Sequence, residues 1–281
     1  TKSGSQPGFV TLKKDGLAGN PTGHFVLSAQ DKLKVLLVDG DPQTSLIQSE
    51  TFFLTRSLNP VGSEESSLFL PTVIVPEGLA SARLEAYQVV VFCNVAVIPD
   101  AVARRITDYL RQGGGVLFFL GNRVDKDDYN LKLFQNSAIL PARLIDRKTT
   151  DTKGEKIGKI DSNHPALRSL ADPISLASLQ SVTVQGYFRG EVPSGSTLLS
   201  LANGDPLAVE KKIGPGKVIL FTTTPDRDWR DLRIKTAYLP LVQALVRYLS
   251  GNKTGAFDAG IVTGETNTIV LPPLFVGKQI R

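Results

Sequence analysis

Apolar residues in this chain fall into short, nearly unbroken runs parted by turn-forming residues. The first clear one, Leu33–Val38, ends abruptly in Asp39-Gly40-Asp41-Pro42. A short apolar run bounded by turn residues reads as a strand buried on both faces, which is the signature of a parallel sheet. Behind it, Leu46, Phe53, Leu54 and Leu58 recur at helical spacing over 43–58, and Pro60 closes that helix. Leu70–Val75 and Val89–Cys93 predict a second and a third strand. Pro99-Asp100 then opens a helix with Val102, Ile106, Tyr109 and Leu110 on one face, Gly113-Gly114-Gly115 ends it, and Val116–Leu120 follows as a fourth strand. This alternation predicts an α/β fold with a doubly wound, mostly parallel sheet.

After Gly121 the rhythm breaks, and residues 122–194, charged and rich in turn formers, read as an irregular insertion. Thr197–Leu201, Leu207–Glu210 and Lys217–Thr222 predict three short strands with a hairpin at Gly214-Pro215-Gly216, so an antiparallel β extension joins the parallel core. A final helix spans Thr236–Leu249, with Leu239, Val242, Leu245, Val246 and Leu249 as its buried stripe and Gly251 as its stop. The main domain is thus expected over residues 33–251. Residues 1–32 carry two β-like pieces, Phe9–Leu12 and His24–Leu27, suited to a hairpin or arm that ends a preceding module. Residues 252–281 read as a linker and the start of a following β module, through Leu271-Pro272-Pro273-Leu274-Phe275-Val276. The chain opens on Thr1 and contains no methionine, so it is expected to be a piece of a larger protein.

Composition narrows the chemistry. With 281 residues there is enough chain for one large or two ordinary domains. The net charge of +5 is modest, and no Lys or Arg run is interleaved with aromatics, so no nucleic-acid partner is expected. Cys93 is the single cysteine, which excludes an intrachain disulfide and a cysteine-rich zinc site. His24 and His164 are the two histidines, which argues against sites that need several imidazoles. No cofactor or metal is expected, and no stretch has the length of a transmembrane helix.

Asp39 and Asp41 lie at the predicted carboxyl end of the first strand, the edge where open α/β sheets bind ligands. Asp-Gly-Asp after an apolar strand invites comparison with haloacid dehalogenase phosphatases, and Thr44 falls near a suitable position. That chemistry needs a Ser or Thr ending a later strand, a lysine and a further acidic pair, and Asp127-Asp128 comes too early to be that pair. The competing reading has both acids capping a helix that starts near Gln43. A receiver domain needs an aspartate ending the third strand, where Asn94 stands. Cys93 reads as a core residue, and His164, in Asn163-His164-Pro165, as a turn residue. Thr222-Thr223-Thr224-Pro225-Asp226-Arg227-Asp228-Trp229 follows a strand with hydroxyls, acids and the one tryptophan. A candidate pocket therefore combines Asp39, Asp41, Asn94, Asn122, Asp226 and Asp228.

In combination, Leu-Val-Asp-Gly-Asp-Pro at 37–42, Gly-Gly-Gly before the strand at 116–120, and Phe-Thr-Thr-Thr-Pro-Asp-Arg-Asp-Trp at 221–229 resemble the class I glutamine amidotransferase-like domain. The resemblance covers roughly residues 33–251. It points to the ThuA-like branch, in the form carried by bacterial membrane proteins of the BatA and von Willebrand factor A type. It implies a flavodoxin-like fold and, in active members, a cysteine on a sharp strand-to-helix turn with His and Glu partners. Here Asn122 or a neighbour stands at the expected place, and no His-x-Glu follows the late strand. The resemblance thus implies a non-catalytic binding or scaffolding module, the soluble portion of a membrane-anchored cell-envelope protein. Its partners would be other modules of the same chain or an envelope complex. The alternatives are a metal-dependent hydrolase using Asp39 and Asp41, and a ThuA-like carbohydrate-related enzyme.

Overall fold

The computed structural model of the chain describes residues 4–11, 22–29, 32–43, 49–150, 154–224 and 235–251. The chain divides into two units, one of residues 32–252 and one of residues 1–31 with 253–281. In the smaller unit, β1 (Gly4–Thr11) pairs antiparallel with β2 (Thr22–Ala29), from Gly4 opposite Ala29 to Thr11 opposite Thr22.

The larger unit begins with β3 (Leu33–Asp39), α1 (Phe52–Leu58), β4 (Phe69–Ile74), β5 (Val89–Cys93), α2 (Asp100–Arg111) and β6 (Gly115–Phe119). Next come α3 (Lys126–Tyr129), which continues into a π-helical stretch at Asn130–Asn136, then β7 (Arg143–Thr149), β8 (Glu155–Ile160) and α4 (Pro173–Gln180). The unit closes with β9 (Thr183–Val184), β10 (Gly186–Glu191), β11 (Ser196–Leu201), β12 (Pro206–Ile213), β13 (Gly216–Phe221) and α5 (Tyr238–Leu249). Nine of these strands make one mixed sheet in the order β4-β3-β5-β6-β13-β12-β11-β8-β9. The five from β4 to β13 run parallel, and each pairing beyond β13 is antiparallel. So β13, grouped by sequence with the antiparallel extension, is the hinge between the two halves.

Continuous apolar runs become central strands here because both faces of the sheet are covered. Leu33, Val35, Leu37, Val89, Val91 and Leu117 pack under α1 and α5 on one face. Leu36, Val38, Val90, Phe92, Val116 and Phe118 pack under α2 and Tyr129 on the other. Strict alternation along each strand allots its residues to the two faces. Truncating one such leucine to alanine costs about 2–5 kcal/mol. The stripe of α5 runs through Tyr238, Leu241, Val242, Leu245, Val246 and Leu249. Leu239, assigned to that stripe from the sequence, is out of phase with it and stands 39% exposed.

Two further expectations change. Of the helix expected over 43–58, the structure shows the seven residues Phe52–Leu58, while 49–51 form a bend and turn and 44–48 lie outside the described residues. The hydroxyls of Ser49 and Thr51 bond to Asp39, and the Thr51 N–H donates to the Ser49 hydroxyl at 3.3 Å, a local side-chain bond to the backbone that competes with helix formation. Residues 122–194, expected to be irregular, hold two helices, the π-helical stretch and four strands. Strand β7 was illegible because six of its seven residues, Arg143 and Ile145 to Thr149, are exposed and no alternation survives. It pairs with β10 as a separate two-stranded ribbon.

The antiparallel half is tied to α5 through a buried polar knot. His164 Nδ1 accepts the Ala166 N–H at 3.2 Å, so its Nε2 carries the proton donated to Glu210 Oε2 at 2.9 Å. Glu210, 3% exposed, also accepts the Tyr248 hydroxyl. His164 does sit in a turn, and it also braces β12.

Burial raises the pKa of Tyr109, Tyr129 and Tyr248. It pushes that of Tyr187, whose hydroxyl donates to Asp205 at 2.7 Å, up to about 12. The native state therefore holds these protons at a pH where the unfolded chain has released them. Their contribution is complete below the ordinary tyrosine value of about 10 and is lost as pH climbs toward each folded value. Urea unfolding followed through that range will show falling stability, with a shallower fall in Tyr187→Phe; identical pH slopes would contradict this role for Tyr187.

Candidate functional site

The carboxyl ends of β3, β5 and β6 meet around one residue. Asn94 follows β5 with φ 51° and is fully buried. Asparagine tolerates this left-handed conformation better than most residues, and it ends the strand sharply. Both its amide protons are used, with Nδ2 donating to Glu50 Oε1 at 2.7 Å and to Asn122 Oδ1 at 2.8 Å, while Oδ1 accepts the Arg123 N–H at 2.9 Å. Two glycines make room for it. A Cβ on Gly40 would stand 2.2 Å from the Asn94 carbonyl oxygen, and one on Gly121 would stand 2.3 Å from the Asn94 side chain.

Asp39, 3% exposed, closes β3 beside this corner. One of its oxygens accepts the Asp41 N–H at 3.1 Å; the other accepts the hydroxyls of Ser49 and Thr51, the latter at 3.0 Å. The Asp41 carboxylate instead pairs with Arg123 at 2.8 Å, in a partly exposed contact worth about 0–1 kcal/mol. The two acids thus answer to different partners and do not cap α1. Cys93, the last residue of β5, is fully buried in the apolar layer under α1 and α5.

The 122–194 segment drapes over this edge from both sides. Asp125 N–H donates to Ala96 O at 2.9 Å, and the Tyr129 hydroxyl to Val95 O at 2.7 Å. Across the sheet, Phe188 N–H donates to Thr222 O at 2.8 Å, and the Thr223 hydroxyl to Gly186 O. On the α1 side a cleft of about 380 Å³ remains open between α1 and β4. Phe52, Val73 and Val75 wall it, and Asp39, Ser49 and Thr51 form its polar end.

Of the residues marked from sequence, Asp39, Asp41, Asn94 and Asn122 converge at this edge through their hydrogen bonds, whereas Asp226, Asp228 and Trp229 lie outside the described residues. The residue in the left-handed region at these strand ends is Asn94, after β5, and Asn122 is an exposed turn residue after β6. Sequence reading missed Ser49, Glu50, Thr51 and Arg123. The signal for the first three was the polar run Gln48–Thr51, which parts Leu46 and Ile47 from Phe52, Phe53 and Leu54. Among the described residues, no three His, Cys, Asp or Glu side chains stand close enough together to hold a metal ion, and no helix is long and apolar enough to cross a membrane.

No protein-family model matches the chain, and no curated protein matches it in sequence. Solved structures are similar at the level of fold. A ThuA-like protein of Parabacteroides merdae, 16% identical, superposes with a TM-score of 0.52 over 78% of this chain and 90% of its own. The fold is ThuA-like. A cytoplasmic protein of Salmonella typhimurium, also 16% identical, matches with a TM-score of 0.58 over 77% of this chain and 98% of its own. A β-galactosidase of Bacillus circulans matches with a TM-score of 0.53 and 14% identity over 79% of this chain but 31% of that enzyme. At such identities the likeness carries the architecture and not the chemistry.

Proposed function

We propose that the chain is a non-catalytic binding module, an amidotransferase-like domain of the ThuA-like type that offers the carboxyl edge of its sheet to a ligand or partner protein. One observation carries this reading. After β6, where the resemblance places the nucleophile at Asn122 or a neighbour, stands the amide of Asn122, and the adjoining left-handed turn that ends β5 carries a second amide, Asn94, whose two protons are donated inside the protein. A carboxamide cannot form the covalent acyl intermediate that a thiolate forms. We read the five parallel strands as a flavodoxin-like core, because their order, numbered along the chain, is second, first, third, fourth, fifth. We further infer from the sequence resemblance that the module works within a larger, membrane-anchored envelope protein of a bacterium. The metal-dependent hydrolase alternative would need Asp41 to leave Arg123 before it could join Asp39 around an ion.

The test is turnover by the purified chain of glutamine, of a p-nitrophenyl ester and, with Mg²⁺, of a p-nitrophenyl phosphate. The expected rates equal those of buffer, unchanged by Asp39→Asn or Cys93→Ala. Hydrolysis abolished by either substitution would overturn the proposal.

A further inference from the structure

The cleft between α1 and β4 has an unusual charge balance. It measures about 380 Å³, within the range of small-molecule sites. Its long walls are hydrocarbon: Phe52 on α1 faces Val73 and Val75, which stand 46% and 41% exposed on the sheet's edge strand and its continuation. Its inner end is the Asp39 carboxylate, almost wholly buried and met by two hydroxyls and one N–H, all neutral donors. The nearby cation at this edge, Arg123, is engaged by Asp41. Arg56, the cation that lines the cleft, is exposed and stands 5.8 Å from the centre of the Phe52 ring.

An acceptor count decides what such a pocket wants. A carboxylate offers about four lone-pair sites, of which three are filled here. The hydroxyls of Ser49 and Thr51 donate to Asp39 and lie 3.0 Å from each other, and the Ser49 oxygen also accepts the Thr51 N–H at 3.3 Å. The inner end therefore offers an acceptor on Asp39, while the Gln43 amide, the Thr55 hydroxyl and the exposed Arg56 guanidinium also line the cleft. An anionic ligand would meet repulsion, and a purely apolar one would leave a buried charge facing hydrocarbon.

We propose that this cleft binds a small amphipathic cation, an apolar body bearing a primary ammonium group, with the ammonium on Asp39 and the body between Phe52 and Val73. The assignment rests on reading the edge as a binding surface. Covering Val73 and Val75 adds apolar burial, and the charge-assisted hydrogen bond adds selectivity for an amine over its neutral analogue.

The experiment titrates the full chain, by calorimetry or protein-observed NMR, with 2-phenylethylamine, 2-phenylethanol and 3-phenylpropionate. The amine is expected to bind about ten-fold more tightly than the alcohol, and the carboxylate not measurably, because an ionic hydrogen bond is roughly twice as strong as a neutral one. Asp39→Asn, checked for folding by its melting curve, should remove that preference. Val75→Lys, at an exposed position, should block the amine and the alcohol while leaving the melting curve in place. Equal binding of amine and alcohol, a preference that survives Asp39→Asn, or no saturable binding of any probe would each overturn the proposal. Turnover of ester or phosphate substrates would instead defeat the non-catalytic reading, so the two failures are distinguishable.

Discussion

Gly40→Ala is expected to destabilise the protein by about 3 kcal/mol or more, because the added methyl meets packed backbone. Its Cβ would stand 2.2–2.5 Å from the carbonyl oxygen and carbon of Asn94 and from the nitrogen of Val95. Backbone cannot swing aside as a side-chain tip can. The β3 and β5 ends would have to part, breaking the 2.8 Å bond from Gly40 N–H to Cys93 O. For a domain of this size, 3 kcal/mol lowers the melting temperature by about 10 °C. Differential scanning calorimetry checks this, and a shift of under about 2 °C would show that the corner is far looser than its distances indicate.

Asn94→Ala should cost a similar amount by a different route, and a companion variant separates its causes. Alanine removes both amide donors and one acceptor from a buried position, taking a donor from the buried Glu50 carboxylate and an acceptor from the Arg123 N–H. Such losses are worth about 1–3 kcal/mol each and are not additive. It also forces a Cβ residue without a helpful side chain into φ 51°, a strain of about 1–2 kcal/mol. Asn94→Gly suffers the first loss and escapes the second, at some cost in unfolded-state entropy. We expect the alanine variant to be about 4 kcal/mol less stable than the native chain and the glycine variant about 1 kcal/mol less severely affected. Denaturant titration measures both. Equal destabilisation would mean that the left-handed turn stores no strain.

The sequence exposed those parts of the fold whose residues repeat a single physical demand. Strands β3 and β5 are unbroken apolar runs because both faces of the sheet are covered, and α2 shows its buried stripe plainly. Strand β7 is almost wholly exposed and carries no such pattern. The start of α1 was misjudged because Leu46 and Phe53 keep helical spacing while Ser49 and Thr51 turn their hydroxyls to Asp39. At the site, Asp39, Asp41, Asn94 and Asn122 were legible as polar residues just past apolar strands. Their partners were not: Glu50 meets Asn94 across 44 positions and Arg123 meets Asp41 across 82, separations that local pattern does not encode. Gly40 and Gly121 looked like ordinary turn glycines, yet each clears space for the same asparagine. His164 likewise looked like a turn residue because its partner Glu210 lies 46 positions away.

The central claim is that Asn94, at the turn ending β5, has both amide protons committed inside the protein, to Glu50 and Asn122. Hydrogen exchange of the Asn94 side-chain amide, followed by NMR of the full chain with the signal assigned through Asn94→Gly, tests this most directly. If Glu50 and Asn122 hold both amide protons, exchange will be slowed by orders of magnitude relative to an exposed asparagine such as Asn163. Exchange at the exposed rate would contradict the account, because it would place the Asn94 amide in open solvent, held by neither Glu50 nor Asn122.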